Sequence, residues 1–563
     1  MASRYLFSIT AIFLLLTASA LFLASVVLSD EILKKPNIVF ILTDDQDARL
    51  NSIDFMPKLQ SLLVKQGISF TNHYTTVSLC CPARVSILRG QYAHNHNVTD
   101  VSPPYGGYPQ YAQLDLGNDA LPVWLQASGY DTYFIGKYMN TYGVKTYNKP
   151  TPQGWTDFDG LVDPYTYDFE NVWFAKNGNP PQNFPGKHQT EVIIEKAKTI
   201  LEHAGKNTKP FFLYLSPVAP HNSFIYSNGS IKVGAPVPLP RHKQLFEGVK
   251  VPRTGNFNPS GENEKPSWLR NLPPLTESQI NEVDSLYRAR LQSLQGIDDL
   301  VETVYNSLKE QNQLDNTYIF YSSDNGFHLG QHRIFSGKTL PYEEDINVPL
   351  IVRGPGVKPN QINNRIGSHH DLAPTFVTIA GGKYPEFVDG GVISEVLSDS
   401  DRNRVSENQI TSSVFAAEFW GEGLIEYVGE NLKGSSNNTY RALRIHEEDA
   451  DYLYTVWCTQ ERELYDLKKD PDQLHNLYRT ADRRLLLRLD ALLFVLKRCK
   501  GDQCRNPWRT LHPSGEVGLL NQALQESFDQ YYEELPKVSF TQCPPGQFLN
   551  VEGGPYDFNK HHA

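Results

Sequence analysis

Short apolar runs that end in polar or charged residues recur along the chain. Four of them are PNIVFILTDDQD, GYDTYFIGKY, KPFFLYLSPVAPH and NTYIFYSSDNG. β-Branched and aromatic residues fill each run and turn residues bound it, which predicts buried strands. A further run, VPLIVRGPG, ends in Gly and Pro and predicts another strand. Strands that are apolar throughout are typical of a mostly parallel sheet whose two faces are covered by helices.

Helical periodicity is clearest in the segment that begins at Thr276. Thr276 and Gln279 have the spacing of a capping box. One face of the helix that follows carries only apolar residues, namely Leu291, Leu294, Ile297, Val301, Val304 and Leu308. Strands and helices that alternate in this way predict an α/β fold. In such folds ligands bind at the carboxyl ends of the strands, where the charged residues of the apolar runs lie.

The character of the chain changes twice after the first strands. Residues 150–275 are rich in Pro, Gly, Asn and aromatics with weak periodicity, which predicts long loops over the sheet edge. Residues 440–467 predict short antiparallel strands, and residues 482–497 predict a helix. We therefore predict a large catalytic domain at 36–385, a smaller C-terminal α+β domain at 386–480, and a C-terminal helix and tail at 481–563.

The composition is that of a globular protein, with 563 residues, 40% of them hydrophobic and 20% charged. A chain of this length is expected to form at least two domains. The net charge of -11 argues against a nucleic-acid partner, because binding to the phosphate backbone needs clustered Lys and Arg. A local cationic pocket is compatible with this charge.

The first 29 residues have the features of a secretory signal peptide. Arg4 precedes a long apolar run, and small residues follow at Ala18, Ala20 and Ala24. The apolar run is long enough to span a bilayer, so an uncleaved signal anchor is the alternative, and only that form would have a stable membrane partner. Glycosylation sequons agree with secretion, or with delivery to a lysosome or vacuole, and they lie at Asn97, Asn228 and Asn437.

An oxidising compartment makes the six cysteines informative. Cys499 and Cys504 could close a short loop, and Cys458 and Cys543 could pair across the C-terminal region. These pairings leave the adjacent residues Cys80 and Cys81. A disulfide between neighbouring residues is strained, because linked alpha carbons prefer a wider separation.

The stretch around these two cysteines carries a resemblance to a known family. Cys80, Pro82 and Arg84 match the C-x-P-x-R signature of type I, formylglycine-dependent sulfatases. Further segments resemble that family in the same order: NIVFILTDDQ, GYDTYFIGKY, SDNGFHLGQH and ELYDLKKDPDQLHNL. The resemblance covers residues 36–477 and is closest to the arylsulfatases and N-acetylglucosamine-6-sulfatases, which share the doubled cysteine and the HNH after it. It implies an alkaline-phosphatase-like fold.

The resemblance also implies a cofactor and a ligand set. Cys80 would be oxidised to formylglycine (3-oxoalanine) by a dedicated formylglycine-generating enzyme before the chain folds. One Ca²⁺ ion would be bound by Asp44, Asp45, Asp324 and Asn325 together with the modified Cys80. Hard oxygen ligands of this kind suit calcium. Two-zinc phosphatases of the same fold carry Asp-His where this chain has Asp-Asn.

The same resemblance assigns catalytic roles to four further residues. Arg84, Lys137 and Lys338 would surround the sulfate and stabilise charge in the transition state. His221 would protonate the leaving oxygen, a role that suits its near-neutral pKa. Cys81 is expected to be a buried apolar residue without a part in the reaction.

Two positions depart from the family pattern. Most sulfatases have a histidine two residues after the strand lysine, as the base for sulfate elimination, and this chain has Met139. Our hypothesis is that His94 or His96 supplies this base. The other departure is Arg89, where the family usually has Thr, and this change could weaken recognition by the modifying enzyme.

The sequence thus predicts a secreted sulfuric ester hydrolase of the arylsulfatase type, with a sulfate ester as substrate. The main alternative is an N-acetylglucosamine-6-sulfatase that acts on sulfated glycans. A phosphonate or phosphodiester hydrolase and a catalytically silent carbohydrate-binding relative are two further alternatives. Loss of Cys80 or of the metal ligands would mark the silent relative, and all of these residues are present.

Overall fold

The computed structural model describes residues 35–227, 230–261 and 264–553. The predicted signal peptide at 1–29 and the sequon residue Asn228 lie outside these ranges. Across the described ranges, no helix has both the length and the hydropathy that crossing a membrane requires.

A ten-stranded mixed sheet forms the centre of the molecule. Its five middle strands are parallel, and antiparallel pairs join them on both sides. In spatial order the strands are Gln361–Asn363, Ile68–Phe70, Leu350–Arg353, Thr317–Ser323, Asn37–Thr43, Phe211–Ser216, Asp131–Gly136, Asp157–Leu161, Trp173–Lys176 and Gln182–Asn183. The parallel centre confirms the prediction of a mixed, mostly parallel sheet.

The central strand Asn37–Thr43 is buried along its whole length. Ile38, Phe40 and Leu42 belong to the core on one face, whereas Val39 and Ile41 belong to the core on the other. This alternation follows from the two-residue period of a strand. The predicted cover on both faces of the sheet is therefore confirmed.

Helices form the two outer layers. Cys80–Arg89, Leu121–Ala127 and Leu372–Ile379 contribute to the first core, and Gln189–Ala204 and Glu277–Glu310 contribute to the second. The capping box of Thr276 and Gln279 is present as predicted. The predicted apolar face of the long helix, Leu291 to Leu308, is buried.

The prediction of long loops over residues 150–275 is wrong in part. Asp157–Leu161, Trp173–Lys176 and Gln182–Asn183 extend the sheet, and Gln189–Ala204 is a helix of 16 residues. The helix buries Val192, Ile193, Ala197 and Leu201, which have helical spacing, against the sheet. Charged and polar residues outnumber these positions in the segment and obscure its period.

A four-stranded antiparallel sheet lies in the C-terminal part and consists of Val414–Phe419, Tyr440–His446, Asp451–Trp457 and Arg462–Asp466. The helix Arg483–Leu496 shares a core with this sheet, and short helices follow at Asp502–Arg505, Pro507–Leu511, Leu520–Ala523 and Asp529–Glu534. The predicted antiparallel strands and the predicted helix are confirmed. The exact domain boundaries stay a prediction.

Two disulfides stabilise the C-terminal part. Cys458 is bonded to Cys543 and Cys499 to Cys504, as the sequence suggested. Cys80 and Cys81 are buried free thiols, so the strained bridge between neighbours is not formed.

Candidate active site

The carboxyl ends of four neighbouring parallel strands meet at one edge of the central sheet. Asp44 and Asp324 follow paired strands whose last residues are directly opposite each other, Thr43 and Ser323. Lys137 follows the strand Asp131–Gly136, and its N–H donates a hydrogen bond of 2.8 Å to the carbonyl of Ser216. Strand register therefore brings together charged residues that are far apart in the sequence.

Cys80 lies at the N-terminus of the helix Cys80–Arg89, where the helix dipole is positive. Leu79 has an extended backbone, which turns the chain into the helix. The sulfur of Cys80 lies 3.5 Å from Asp44 Oδ1 and 3.1 Å from Lys338 Nζ. The sulfur of Cys80 thus lies between a carboxylate and an ammonium group within the predicted site.

Arg84 lies one turn after Cys80, so both side chains point to the same side of the helix. Its Nε and Nη2 atoms both lie 2.9 Å from Asp324 Oδ2. Its Nη1 atom donates to Ser216 Oγ at 2.6 Å and to the carbonyl of Lys137 at 2.7 Å. The guanidinium therefore joins the ends of three strands and fixes the helix over them.

The buried charges of the site balance one another. Lys137 Nζ lies 2.5 Å from Asp44 Oδ2, and Lys338 Nζ lies 2.6 Å from Asp45 Oδ1. With Arg84 and Asp324, these pairs bring three cations next to three carboxylates. Burial raises the pKa of Asp44, but the nearby positive charges outweigh it and hold this pKa at about 2. The carboxylate is therefore ionised at any physiological pH.

The site contains a group of side chains that could hold a metal ion. One possible ligand atom from each of four residues lies within 4.8 Å of the other three, and these residues are Asp44, Asp45, Cys80 and His221. Asp45 Oδ2 and Asn325 Oδ1 are buried and accept no hydrogen bond from the described residues. A cation would satisfy both oxygens, since carboxylate and amide oxygens are its usual ligands. Asp324 Oδ1, by contrast, accepts N–H groups of Asp45 and Asn325.

His221 faces the same cluster. Its Nδ1 atom lies 2.6 Å from the carbonyl of Asn222, which requires a proton on Nδ1. Its Nε2 atom lies 3.5 Å from Asp45 Oδ2 and so points into the site. The ring packs against Tyr167 and Phe224, with centroids 4.4 and 5.0 Å away.

The structure does not bring His94 and His96 to this site. His94 Nδ1 lies 2.8 Å from Glu418 Oε2, and its Nε2 lies 3.1 Å from the carbonyl of Cys499. His96 is bonded to Ser86 Oγ and to the N–H of Val98. Since both rings use both nitrogens elsewhere, these contacts do not support the hypothesis that one of them is the elimination base.

Three further residues contact the site, of which sequence reasoning missed Arg290 and Tyr167 and gave His369 only a supporting role. Arg290, on the long helix, donates to the carbonyls of Asp45 and Pro220 and so fixes the backbone on both sides of the site. His369 Nε2 lies 2.9 Å from the carbonyl of Asp324. Tyr167 packs on His221. A signal existed for Arg290, a charged residue among buried helix positions, whereas Tyr167 lies in a segment without readable periodicity.

The thiol of Cys80 is chemically unsuited to attack in its unmodified form. Burial raises its pKa to about 12, although the charges of Lys137 and Lys338 oppose the rise. At neutral pH the residue is therefore a neutral thiol and a poor nucleophile.

Fixed cations around one buried side chain suit the ester of a tetrahedral oxyanion. The fold is of the sulfatase and alkaline-phosphatase type. The sulfatase family model matches residues 36–382, so the chain belongs to the sulfatase family. The protein is a sulfuric ester hydrolase.

Relatives agree with this assignment over most of the chain. The chain is 39% identical to an arylsulfatase of Volvox carteri over 546 residues, which covers 92% of this chain and 83% of the relative. It is 33% identical to the N-acetylglucosamine-6-sulfatase of Homo sapiens over 500 residues, which covers 84% and 86%. A solved structure of a protein in complex with its substrate D-glucosamine-2-N,6-O-disulfate superposes with a TM-score of 0.60 at 22% identity, covering 82% of this chain and 97% of that one.

Proposed function

We propose that the protein is an arylsulfatase that uses a formylglycine made from Cys80 and one bound calcium ion. The observation that carries this proposal is the position of Cys80, whose sulfur lies 3.1 Å from Lys338 Nζ and 3.5 Å from Asp44 Oδ1. A side chain at this point touches both the cations that would bind sulfate and the acids that would bind the metal.

Formylglycine at position 80 would supply a hydrated aldehyde, of which one hydroxyl attacks sulfur and the other allows sulfate to leave without attack by water on sulfur. Calcium would supply a positive charge that lowers the pKa of that hydroxyl and holds a sulfate oxygen. Asp44, Asp45, Asp324 and Asn325 would hold this ion through side-chain oxygens. The buried oxygens of Asp45 and Asn325 that accept no hydrogen bond within the described ranges support this ligand set.

Three cations of the chain would surround the sulfate group, and two of them would bind it directly. Lys137 and Lys338 each neutralise a carboxylate in the structure, and each could turn toward an entering sulfate oxygen without leaving the site. Arg84 is bonded to Asp324, Ser216 and the backbone of Lys137, so its role is to hold the strands and to add fixed positive charge. Preorganised charge of this kind stabilises a transition state in a buried site.

His221 would protonate the leaving oxygen. The carbonyl of Asn222 fixes a proton on Nδ1, so the proton that is transferred must be on Nε2, the atom that faces the site. The leaving group of the ester must then lie on the His221 side of Cys80. The residues that select the alcohol would therefore lie on the His221 side of Cys80, apart from the residues that bind sulfate.

An N-acetylglucosamine-6-sulfatase is the second candidate, because relatives of that name cover most of this chain at 33% identity. The two candidate functions differ in the alcohol that is released. Either function would use the same residues of this chain to bind the sulfate group. Parallel assays with 4-nitrophenyl sulfate and with N-acetylglucosamine 6-sulfate separate them by their kcat/KM.

The decisive experiment is mass spectrometry of the peptide that contains residue 80, combined with an assay of sulfate release from the same preparation. We expect a mass that corresponds to formylglycine and activity in proportion to the modified fraction. A stoichiometric thiol in active protein contradicts the proposal. Hydrolysis of a phosphodiester in preference to the sulfate ester would indicate a phosphodiesterase instead, and absence of any turnover by modified protein would indicate a silent relative.

The maturation route belongs to the same proposal. We propose secretion, with a formylglycine-generating enzyme as the partner during synthesis. Two disulfides support an oxidising compartment. Asn97 and Asn437 are exposed and so accessible to glycosylation.

A further inference from the structure

The wall of the site on the His221 side is formed by Tyr167. Its ring centroid lies 4.4 Å from that of His221, and Lys137 Nζ lies 4.8 Å above the ring. The side chain is 2% exposed. Burial raises the pKa of Tyr167 well above its usual range, and the negative charges of Asp44 and Asp163 raise it further. The phenol thus keeps its proton and is available as a hydrogen-bond donor.

Hydrogen bonding around Tyr167 is incomplete. Asn140 Nδ2 donates to the Tyr167 hydroxyl at 2.7 Å, which fixes the position of the oxygen. Asn140 Oδ1 is buried and accepts no hydrogen bond from any residue that the structure describes. The Asn140 and Tyr167 pair therefore has a free acceptor, and the Tyr167 hydroxyl is positioned to donate to a bound molecule.

Asp163 adds a second acceptor beside this pair. Its Oδ2 atom accepts the N–H of Thr141 at 2.6 Å, which orients the carboxylate. Its Oδ1 atom is buried and has no hydrogen-bond donor within residues 35–227, 230–261 and 264–553. Buried acceptors are normally satisfied, so these two oxygens, on residues that hold Tyr167 and the neighbouring Thr141, indicate places for donor groups of a ligand.

An aromatic side chain extends the wall outward. The hairpin of Ser223–Ser227 and Ser230–Gly234 begins directly after His221 and Asn222. Phe224 contacts both His221 and Tyr167 at 5.0 Å, and Tyr226 lies on the same face of the strand because side chains alternate. Tyr226 is 42% exposed. Ile225 points to the opposite face and is 58% exposed.

We propose that Tyr167, Asn140, Asp163 and Tyr226 form the subsite for the alcohol half of the ester, and that this subsite takes a ring that carries hydroxyl groups. A hydroxyl group both donates and accepts, so it matches the acceptors of Asn140 and Asp163 and the donor of Tyr167. A ring also offers a flat face to Tyr226. An aryl group without hydroxyls would fill the same space but leave the two acceptors unsatisfied. This inference rests on the proposed function, because His221 fixes the side on which the leaving group lies.

The test compares two substrates, glucose 6-sulfate and 4-nitrophenyl sulfate, on the full-length, formylglycine-containing protein. For Asp163→Asn we expect the loss in kcat/KM to be about tenfold larger for glucose 6-sulfate than for 4-nitrophenyl sulfate, mainly through KM. For Tyr226→Ala we expect KM to rise about fivefold for both substrates, because both rings contact the phenol. Ile225→Ala is the matched control on the other face of the same strand and should leave both substrates unaffected.

A binding measurement separates a subsite from a merely structural role. Glucose, the alcohol product, should inhibit hydrolysis of 4-nitrophenyl sulfate competitively, and its inhibition constant should rise in Asp163→Asn while the melting temperature stays within the range of Ile225→Ala. Equal losses on both substrates in Asp163→Asn, or a Tyr226→Ala variant that behaves like Ile225→Ala, would overturn the inference. Wild-type protein that hydrolyses 4-nitrophenyl sulfate but neither hydrolyses glucose 6-sulfate nor is inhibited by glucose would overturn it and leave the proposed function standing. Wild-type protein that hydrolyses neither ester would refute the proposed function itself.

Discussion

The Nζ atom of Lys338 lies 3.1 Å from the sulfur of Cys80, although the two residues belong to different parts of the fold. Lys338 is in the short strand Gly337–Lys338, which pairs with Gly423–Ile425 from the C-terminal part. Cys80 begins a helix that packs on the central sheet. The strand that presents Lys338 to Cys80 is therefore hydrogen-bonded to the C-terminal part of the chain.

The two adjacent cysteines should respond unequally to substitution. Cys80→Ala should abolish turnover, because the variant cannot form formylglycine. Cys81→Ala should retain much of the activity and cost about 1 kcal/mol of stability, since Cys81 is a buried member of the apolar core. Assays of sulfate release and of the melting temperature check both results. Equal loss of activity in the two variants, with formylglycine present in Cys81→Ala, would contradict this division.

Removal of the Lys338 charge should reduce kcat strongly. Lys338→Met takes away the cation between Cys80 and Asp45, and we expect kcat to fall on the order of a hundredfold or more, as for other preorganised charges in buried sites. Lys433→Met is a suitable control, because Lys433 lies in the same three-stranded sheet but is exposed. A control variant that loses as much activity as Lys338→Met would show that the sheet, and not the charge, is responsible.

Calcium should stabilise the folded protein independently of turnover. Addition of calcium to chelator-treated protein should raise the melting temperature, because the ion binds the folded state and satisfies the buried oxygens of Asp45 and Asn325. Asn325→Ala should weaken the effect by removing one oxygen ligand. Differential scanning calorimetry over a series of calcium concentrations measures both. A melting temperature that does not change with calcium in the wild-type protein would refute the ligand set.

Glu418 should make stability depend on pH. Burial raises its pKa, but the charges of His94 and Arg441 outweigh the burial and hold it at about 2, below the ordinary 4.5. The ionised group therefore stabilises the fold above pH 4.5, and this stabilisation is lost as the pH falls toward 2. Glu418→Gln should cost about 3 kcal/mol at pH 7, because it leaves buried Arg441 short of one partner. Urea unfolding of the wild-type protein and of Glu418→Gln at pH 7 and pH 3 tests this prediction. A difference in unfolding free energy between the two proteins that is the same at both pH values would contradict it.

The two disulfides should differ in their contribution to stability. The sequence separation of the bonded cysteines is 85 for Cys458 and Cys543 and 5 for Cys499 and Cys504. A longer loop loses more entropy in the unfolded chain, so Cys543→Ser should cost about 2–5 kcal/mol and Cys504→Ser less. Melting temperatures of the two variants decide the order. The reverse order would mean that local strain or packing outweighs the loop effect.

Several residues of the site could be predicted from the positions at which apolar runs end in the sequence. Asp44, Lys137 and Asp324 come directly after buried strands, and parallel strands place their carboxyl ends at one edge. The family resemblance added Lys338, which lies outside the central sheet and whose approach to Cys80 no local pattern reveals. These residues could be predicted because each depends on one strand or one motif.

The remaining residues depend on contacts between distant segments. His94 and His96 have the right chemistry for a base and follow the reactive helix closely, but a turn of the chain directs them to Glu418 and Ser86. Tyr167 reaches His221 from an irregular segment, so neither periodicity nor spacing marks it. Side-chain direction in such segments is set by tertiary packing, which a single sequence does not encode in a readable pattern.

The burial of the helix Cys80–Arg89 has a consequence for how active protein is made. All ten of its residues are buried, so under the proposed function a modifying enzyme could bind this segment only before the helix packs against the sheet. If Cys80 is converted to formylglycine, as we propose, folding and maturation would compete, and a molecule that folds first would keep its unmodified thiol. The specific activity of a preparation would then depend on the outcome of that competition during synthesis, and substitutions that accelerate folding would lower the modified fraction.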